Sequence, residues 1–308
     1  MHAHSHGGTA KILRVSLLVT AAYILLLVVA GLRANSLALL SEAGHNVSDL
    51  LALLLSLVAV YIQSRPPDAQ KTFGYHRAGV LAAFINAGTL GFIAFYIFYE
   101  AFRRVQHPEH VHSGTMMAVA AAGVVMNGAI AWLLYRNTSQ DVNVRSVLVH
   151  ELGDTLATLA VLIGGWAISL TGQNWIDPAL SVGIGALILW SSFGILRETL
   201  NILLEGMPAG MEAEHIVQHL EEIGGVRGVH DLHVWSIGSD THALSAHITI
   251  ADIPLSESDK IMQDIRGALA DHFHIHHTTI QFEHEVCAVA HGCNIPVSQT
   301  HSHHGHSH

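Results

Sequence analysis

Two segments of this sequence place a histidine four residues before an aspartate, in stretches that are otherwise apolar. The first pair is His45 and Asp49, and the second is His150 and Asp154. Residues four apart lie on one face of a helix, so each pair can present an imidazole and a carboxylate to one point. An aspartate at the centre of a membrane costs about 2.5–3.5 kcal/mol, so such residues mark functional sites. Two nitrogen and two carboxylate ligands suit a divalent metal ion such as Zn²⁺.

The stretches around these pairs have the composition of a membrane domain. Of the 308 residues, 12% are charged, against about 25% in a typical soluble domain. The deficit lies between Lys11 and Arg197, and charge returns to ordinary levels after Met211. A helix needs about 20 apolar residues to cross a bilayer. We therefore predict six membrane-spanning helices, at 12–31, 37–62, 79–102, 114–135, 145–170 and 176–197.

The same distribution divides the chain into four parts. A His-rich cytoplasmic tail at 1–10 precedes the six-helix membrane domain at 11–207. A cytoplasmic domain at 208–290 follows, and it is long enough to bury its own core. A second His-rich tail occupies 291–308. Both tails are too polar and irregular to pack, and their histidines are candidate local collectors of metal ions.

Basic residues predict the orientation of the membrane domain. If the N terminus is cytoplasmic, the inner segments hold more lysine and arginine than the outer segments, as the positive-inside rule requires. The inner set is Lys11, Arg14, Arg65, Lys71, Arg77, Arg136, Arg145 and Arg197, and the outer set is Arg33, Arg103 and Arg104. We therefore expect both termini in the cytoplasm. The two His-Asp pairs then approach the midplane from opposite faces, so a shared site is possible but not forced by spacing.

The cytoplasmic domain has the pattern of a small α+β sandwich. Amphipathic stretches predict helices and alternating apolar residues predict strands, in the order αββαβ. The predicted elements are a helix at 212–223, strands at 226–237 and 243–250, a helix at 256–273 with Ser256 as its N-cap, and a strand at 278–284. This order places the helices on one face of a sheet.

Six segments make the chain resemble the cation diffusion facilitator family, and in particular its zinc-transporter-like branch. They are SLALLSEAGHNVSD (36–49), KTFGYHRAGVLAA (71–83), LVHELGD (148–154), WIDP (175–178), ETLNILLEGMP (198–208) and HDLHVW (230–235). The resemblance implies a six-helix membrane domain, a ferredoxin-like cytoplasmic domain and a homodimer. It also implies export of zinc or a similar cation in exchange for protons. The implied transport ligands are His45, Asp49, His150 and Asp154.

The resemblance further implies regulatory metal binding in the cytoplasmic domain. His230, His247 and His284 match positions where relatives bind metal. Two nearby thiols, Cys287 and Cys293, are further candidates because soft ligands favour zinc. The alternative for these histidines is a hydrogen-bonded surface without metal.

A second inner loop offers a weaker candidate metal site, formed by Asp68 and His76. Tyr75 stands where some relatives have histidine, so the family pattern is only partly matched there.

The chemistry of the membrane pairs agrees with proton-coupled antiport. Histidine must be neutral to bind metal, and its reference pKa of about 6.5 lets protons compete with metal near neutral pH. We therefore expect a transporter that exports Zn²⁺ from a bacterial cytoplasm across the inner membrane. Cd²⁺ and Co²⁺ fit similar ligands, and affinity order alone does not choose among the three.

Other functional classes fit the sequence less well. A membrane metal sensor or store that does not transport is the main alternative. An intramembrane metalloprotease would need a motif such as HExxH, which the sequence lacks, so we do not expect an enzyme. The net charge of −10 excludes the basic footprint of a nucleic-acid-binding protein.

Overall fold

The computed structural model describes residues 6–137, 142–239 and 241–285. The described chain divides into two compact units, with the boundary between Leu200 and Asn201. Six long helices come first along the described chain. They are α1 (His6–Ala34), α2 (Leu37–Gln63), α3 (Arg77–Gln106), α4 (Ser113–Asn137), α5 (Val142–Thr171) and α6 (Ile176–Leu203).

Five of these helices, α2 to α6, are long and apolar enough to cross a membrane, and α1 contributes a shorter apolar stretch, Val19–Ala34. The predicted membrane domain of six helices is confirmed. The helix ends differ from the predicted ones, since α6 continues to Leu203 and α5 begins at Val142. A helix can continue beyond the hydrocarbon because it satisfies its own backbone hydrogen bonds whether lipid or water surrounds it.

The first unit buries small and aliphatic side chains between helices and leaves large apolar ones on its outside. Leu27, Leu39, Met116 and Val161 are fully buried in one cluster. Large outward side chains such as Phe92 and Trp190 have the character of a lipid-facing surface. A Cβ on Gly185 would lie 2.9 Å from the Phe98 side chain, so glycine here permits close packing of α3 and α6.

The N terminus of α2 is held by a carboxylate from another helix. Ser36 is the N-cap of α2, and its hydroxyl oxygen accepts a hydrogen bond from the Leu39 amide. Asp177, in the first turn of α6, accepts hydrogen bonds from the amides of Leu37 and Ala38 at 2.7 and 3.2 Å. The free N–H groups at a helix start favour such a carboxylate. Asp177 therefore caps the start of α2 together with Ser36.

The described part of the second unit contains a three-stranded sheet and two helices. Its elements are α7 (Ala213–Glu221), β1 (Val226–Ser236), β2 (His242–Ile250), α8 (Leu255–Phe273) and β3 (Ile275–Glu283). The strand order is β1-β2-β3, with β1 antiparallel and β3 parallel to β2. The predicted αββαβ order is confirmed. Aliphatic side chains of the helices and the sheet form one core.

Two details of the predicted cytoplasmic domain are wrong. Ser256 is not the N-cap of α8, because the helix begins at Leu255 and Pro254 occupies the cap position without a side-chain hydrogen bond. The third strand begins at Ile275 rather than 278. His274 has a positive φ of 54° at the C-cap of α8, so the chain reverses there and the strand starts at once.

Candidate metal sites

The two His-x-x-x-Asp pairs converge on one point between α2 and α5. His45 Nε2 lies 3.1 Å from Oδ1 of Asp154 and 3.6 Å from Oδ2 of Asp49. His150 Nε2 lies 3.6 Å from a carboxylate oxygen of each aspartate. Each imidazole thus contacts the carboxylate of its own helix and that of the other helix. The sequence spacing did not decide whether these four residues lie close together. In the structure they do.

The separations of three of these residues suit the ligand set of one small cation, and His150 lies beside them. Ligand atoms of His45, Asp49 and Asp154 all lie within 4.8 Å of one another. Ligands on one tetrahedral zinc ion, at about 2.0–2.2 Å from the metal, are about 3.3–3.6 Å apart. His150 is the most exposed of the four, with 52% of its side chain accessible. We call these four residues the membrane site.

A buried polar network lies behind the membrane site. Glu42 is 5% exposed, and its Oε1 accepts hydrogen bonds from the hydroxyls of Tyr23 and Thr158 at 3.0 and 2.7 Å. Asn127 donates to Thr158 Oγ1 at 3.4 Å, which is the interhelical hydrogen bond expected of a polar residue on a membrane helix. Sequence analysis missed Glu42. The signal that finds it is an ionisable residue inside a predicted membrane span.

A second cluster lies on the sheet of the second unit. His230 on β1 and His247 on β2 are paired across the two strands, with ring centroids 5.4 Å apart. Glu283, at the end of β3, contacts both rings, with Oε2 3.0 Å from His230 Nε2 and Oε1 3.1 Å from His247 Nδ1. We call these three residues the sheet cluster. Its ligand atoms lie within 4.8 Å of one another.

The electrostatics of the sheet cluster suit a cation. Burial raises the pKa of Glu283, but the hydrogen bond from Gln281 and the interactions with His247 and His230 outweigh it, so the pKa lies below its ordinary value. The carboxylate is therefore ionised at neutral pH. Asp231, on the bulge of β1, adds a second carboxylate 3.7 Å from His247 Nε2. Two imidazoles and a carboxylate are an ordinary ligand set for Zn²⁺.

Comparison with known proteins decides the family. Residues 13–204 match the family domain described as the cation efflux transmembrane domain. Residues 208–285 match the cation efflux protein cytoplasmic domain. The chain belongs to the cation efflux family. The resemblance seen in the sequence to cation diffusion facilitators is therefore confirmed, and the protein is a multi-pass membrane transporter rather than an enzyme.

Relatives of this cation efflux protein match along nearly its whole length. The zinc transporter ZitB of Escherichia coli (strain K12) is 37% identical over 100% of this chain and 99% of its own. The cadmium, cobalt and zinc/H(+)-K(+) antiporter of Bacillus subtilis (strain 168) is 35% identical over 92% of each chain. The metal cation efflux system protein CzcD of Cupriavidus metallidurans is 35% identical over 94% of this chain and 92% of its own.

The remaining candidates for the cytoplasmic site of this cation efflux protein are His284, Cys287 and Cys293. His284 directly follows β3, and among the described residues the group near His230 and His247 contains Glu283 instead. The thiols Cys287 and Cys293 lie outside the described residues. All three stay predictions.

The loop between α2 and α3 uses Asp68 as a turn former. Its carboxylate accepts hydrogen bonds from the amides of Gln70 and Lys71, both at 2.7 Å, and from the Tyr75 hydroxyl at 2.9 Å. These bonds, led by that of Lys71, lower the pKa of Asp68. The resulting stabilisation is present above the unfolded pKa and is lost as pH falls through the lowered folded value. The His76 carbonyl accepts from Gln63, and metal binding by this loop stays a prediction.

Proposed function

We propose that this cation efflux protein is a proton-coupled antiporter that exports Zn²⁺ from the cytoplasm through the membrane site. The observation that carries the proposal is the convergence of two imidazoles and two carboxylates from α2 and α5, with contacts of 3.1–3.6 Å. This set of nitrogen and oxygen ligands suits Zn²⁺, and it also accepts Cd²⁺ or Co²⁺.

The same four residues supply a physical basis for exchange. Imidazole nitrogens bind either a proton or a metal ion, so a site that is loaded with protons cannot hold zinc at the same nitrogens. Alternating access then makes the two cargoes move in opposite directions. Zinc binds from the cytoplasm, and protons displace it on the other side. In this mechanism the protein supplies the ligands and exposes the membrane site to one side of the membrane and then to the other. The pH difference across the membrane sets the direction of zinc transport.

We also propose where and in what form the protein works. The relatives described above come from bacteria, which supports a bacterial cytoplasmic membrane. The distribution of lysine and arginine supports two cytoplasmic termini. The resemblance to cation diffusion facilitators supports a homodimer, with zinc ions, protons and the lipid bilayer as the other partners.

Exchange is tested with purified protein in liposomes that contain an internal zinc indicator. We expect zinc to accumulate in vesicles with an acidic interior and not in vesicles without a pH gradient, because outward proton movement drives inward zinc movement. The expected direction of zinc movement is the same for either orientation of the protein in the bilayer. A protonophore that collapses the gradient should remove the accumulation. Zinc flux of equal size without a gradient would contradict proton coupling.

A non-transporting metal sensor or store is the competing function, and the sheet cluster is the observation that favours it. Such a protein would bind zinc in the same preparation and would show no flux with or without the gradient. Two ligand pairs within membrane helices favour transport instead, because ionisable residues at that depth are costly and a sensor has no need of them.

We propose that the sheet cluster binds a regulatory metal ion, with His230, His247 and Glu283 as ligands. Replacing Glu283 by glutamine removes the charged ligand but keeps the side-chain volume. We expect Glu283→Gln to weaken zinc binding to the full chain at this site by about 10–100-fold. The Glu285→Gln variant is the control, since it changes charge equally two residues away. Equal zinc binding by the two variants, measured by calorimetry, would remove the sheet cluster as a metal site.

A further inference from the structure

Two buried polar atoms beside the membrane site have no hydrogen-bond partner among the described residues. One is Oε2 of Glu42 and the other is Nδ1 of His45. A buried polar atom without a partner costs about 1–3 kcal/mol, so two neighbouring ones need an explanation. Glu42 and His45 lie three residues apart on α2, which places them on the same helix face.

Both residues line one small cavity. Its other walls include Asn127, Asp154 and Thr158, and its volume is about 20 Å³. A cavity needs roughly 10–15 Å³ for one water molecule, and that water needs two to four polar partners. The cavity therefore has room for a water and the partners to hold it. The two unpaired atoms belong to the residues that such a water would join.

The position of Nδ1 matters for metal binding. Neutral imidazole carries one proton, and the nitrogen that bears it cannot bind metal. In His45 it is Nε2 that faces the carboxylates of Asp49 and Asp154. When Nε2 binds the metal ion, the proton of the neutral ring must be on Nδ1, where an acceptor is needed to hold it. Metal-binding histidines commonly donate their second N–H to a carboxylate or a water for this reason.

We infer that Glu42 is a positioning residue for the transported metal ion, acting through a water molecule that bridges its Oε2 to Nδ1 of His45. Glu42 is well placed for this because Tyr23 and Thr158 hold its other oxygen. The bridge fixes the tautomer and ring orientation of His45, which leaves Nε2 free for the cation. The inference rests on the proposed use of the membrane site.

The test uses Co²⁺ as a probe of the full-length protein in detergent. Tetrahedral Co²⁺ has visible absorption bands, and the part of the signal that disappears in His45→Ala belongs to the membrane site. We expect Glu42→Gln to weaken Co²⁺ binding to this site by about 10–100-fold, the usual effect of losing such an outer partner. Glutamine keeps the side-chain shape and can accept from Tyr23 and Thr158. Its NH₂ group, however, cannot accept the hydrogen bond that the bridging water must donate once that water accepts from Nδ1–H of His45.

Two further variants make the result decisive. Glu42→Asp retains a carboxylate, so we expect it to bind Co²⁺ more tightly than Glu42→Gln does. Ser41→Ala removes a buried hydroxyl beside Glu42 that donates to the Leu37 carbonyl within α2, so we expect near-native affinity. Native affinity in Glu42→Gln, or an equal loss in Ser41→Ala, would overturn the inference. An unchanged spectrum in His45→Ala would instead count against the membrane site, and so against the proposed function.

Discussion

Alanine in place of His45 or Asp154 is expected to abolish gradient-driven zinc flux, with a loss of at least about 100-fold relative to the native chain. These two side chains make the shortest contact across the membrane site, at 3.1 Å. Either change removes one ligand, and His45→Ala also leaves a carboxylate without its imidazole partner. We expect the same loss for Asp49→Ala. The measurement is initial zinc uptake into liposomes with an acidic interior.

A control from the same helix separates loss of a ligand from loss of packing. Ser48 lies between His45 and Asp49 in sequence, is 1% exposed, and donates a hydrogen bond to Asn86 at 3.3 Å. Ser48→Ala therefore removes an interhelical bond without removing a ligand, and its expected cost is about 1 kcal/mol of stability. We expect it to retain flux. Retained flux in His45→Ala or Asp154→Ala would show that zinc binds elsewhere.

The composition of the membrane site was predictable from sequence, whereas its assembly was not. Helical spacing puts Asp49 one turn from His45 and Asp154 one turn from His150, and an apolar setting marks both pairs as functional. The level at which two helices meet depends on their tilt and on where each one begins. The sequence placed the pairs on opposite sides of the midplane and did not show whether they meet, because helix tilt and helix ends are set by tertiary packing. The early start of α5, at Val142, is one such quantity.

The third residue of the sheet cluster was missed because strand register is not visible in one sequence. The prediction used His284, which ends the apolar alternation. In the structure His247 pairs with Gln281 of the parallel strand β3. Side chains two apart share a face of a strand, so Glu283 lies on the same face as Gln281, and its carboxylate oxygens lie against the rings of His230 and His247. The hydrogen bond from Gln281 to Glu283, at 2.8 Å, agrees with this placement. Neighbouring residues of a strand alternate between its two faces, so the same alternation puts His284 on the opposite face.

Asp177→Ala is expected to lower the free energy of unfolding by about 3–5 kcal/mol, the range for breaking a buried, hydrogen-bonded charge arrangement. Asp177 is fully buried and accepts from the Ser36 hydroxyl at 2.6 Å as well as from the Leu37 and Ala38 amides. Its loss would leave those two amides unpaired at the start of a membrane helix, where water does not replace the partner. Arg104, whose guanidinium lies 3.7 Å away, would lose a counter-charge.

Ser181→Ala is the matched control for this prediction, because Ser181 is also fully buried and lies one turn further along α6. Its hydroxyl donates only to the Asp177 carbonyl within the same helix, so we expect a loss of about 1 kcal/mol or less. Unfolding of both variants is measured in detergent micelles with increasing denaturant. Equal stability of Asp177→Ala and Ser181→Ala would show that Asp177 does not hold α2. Since α2 carries His45 and Asp49, a confirmed loss would mean that the start of this helix is fixed by a residue far from the membrane site in sequence.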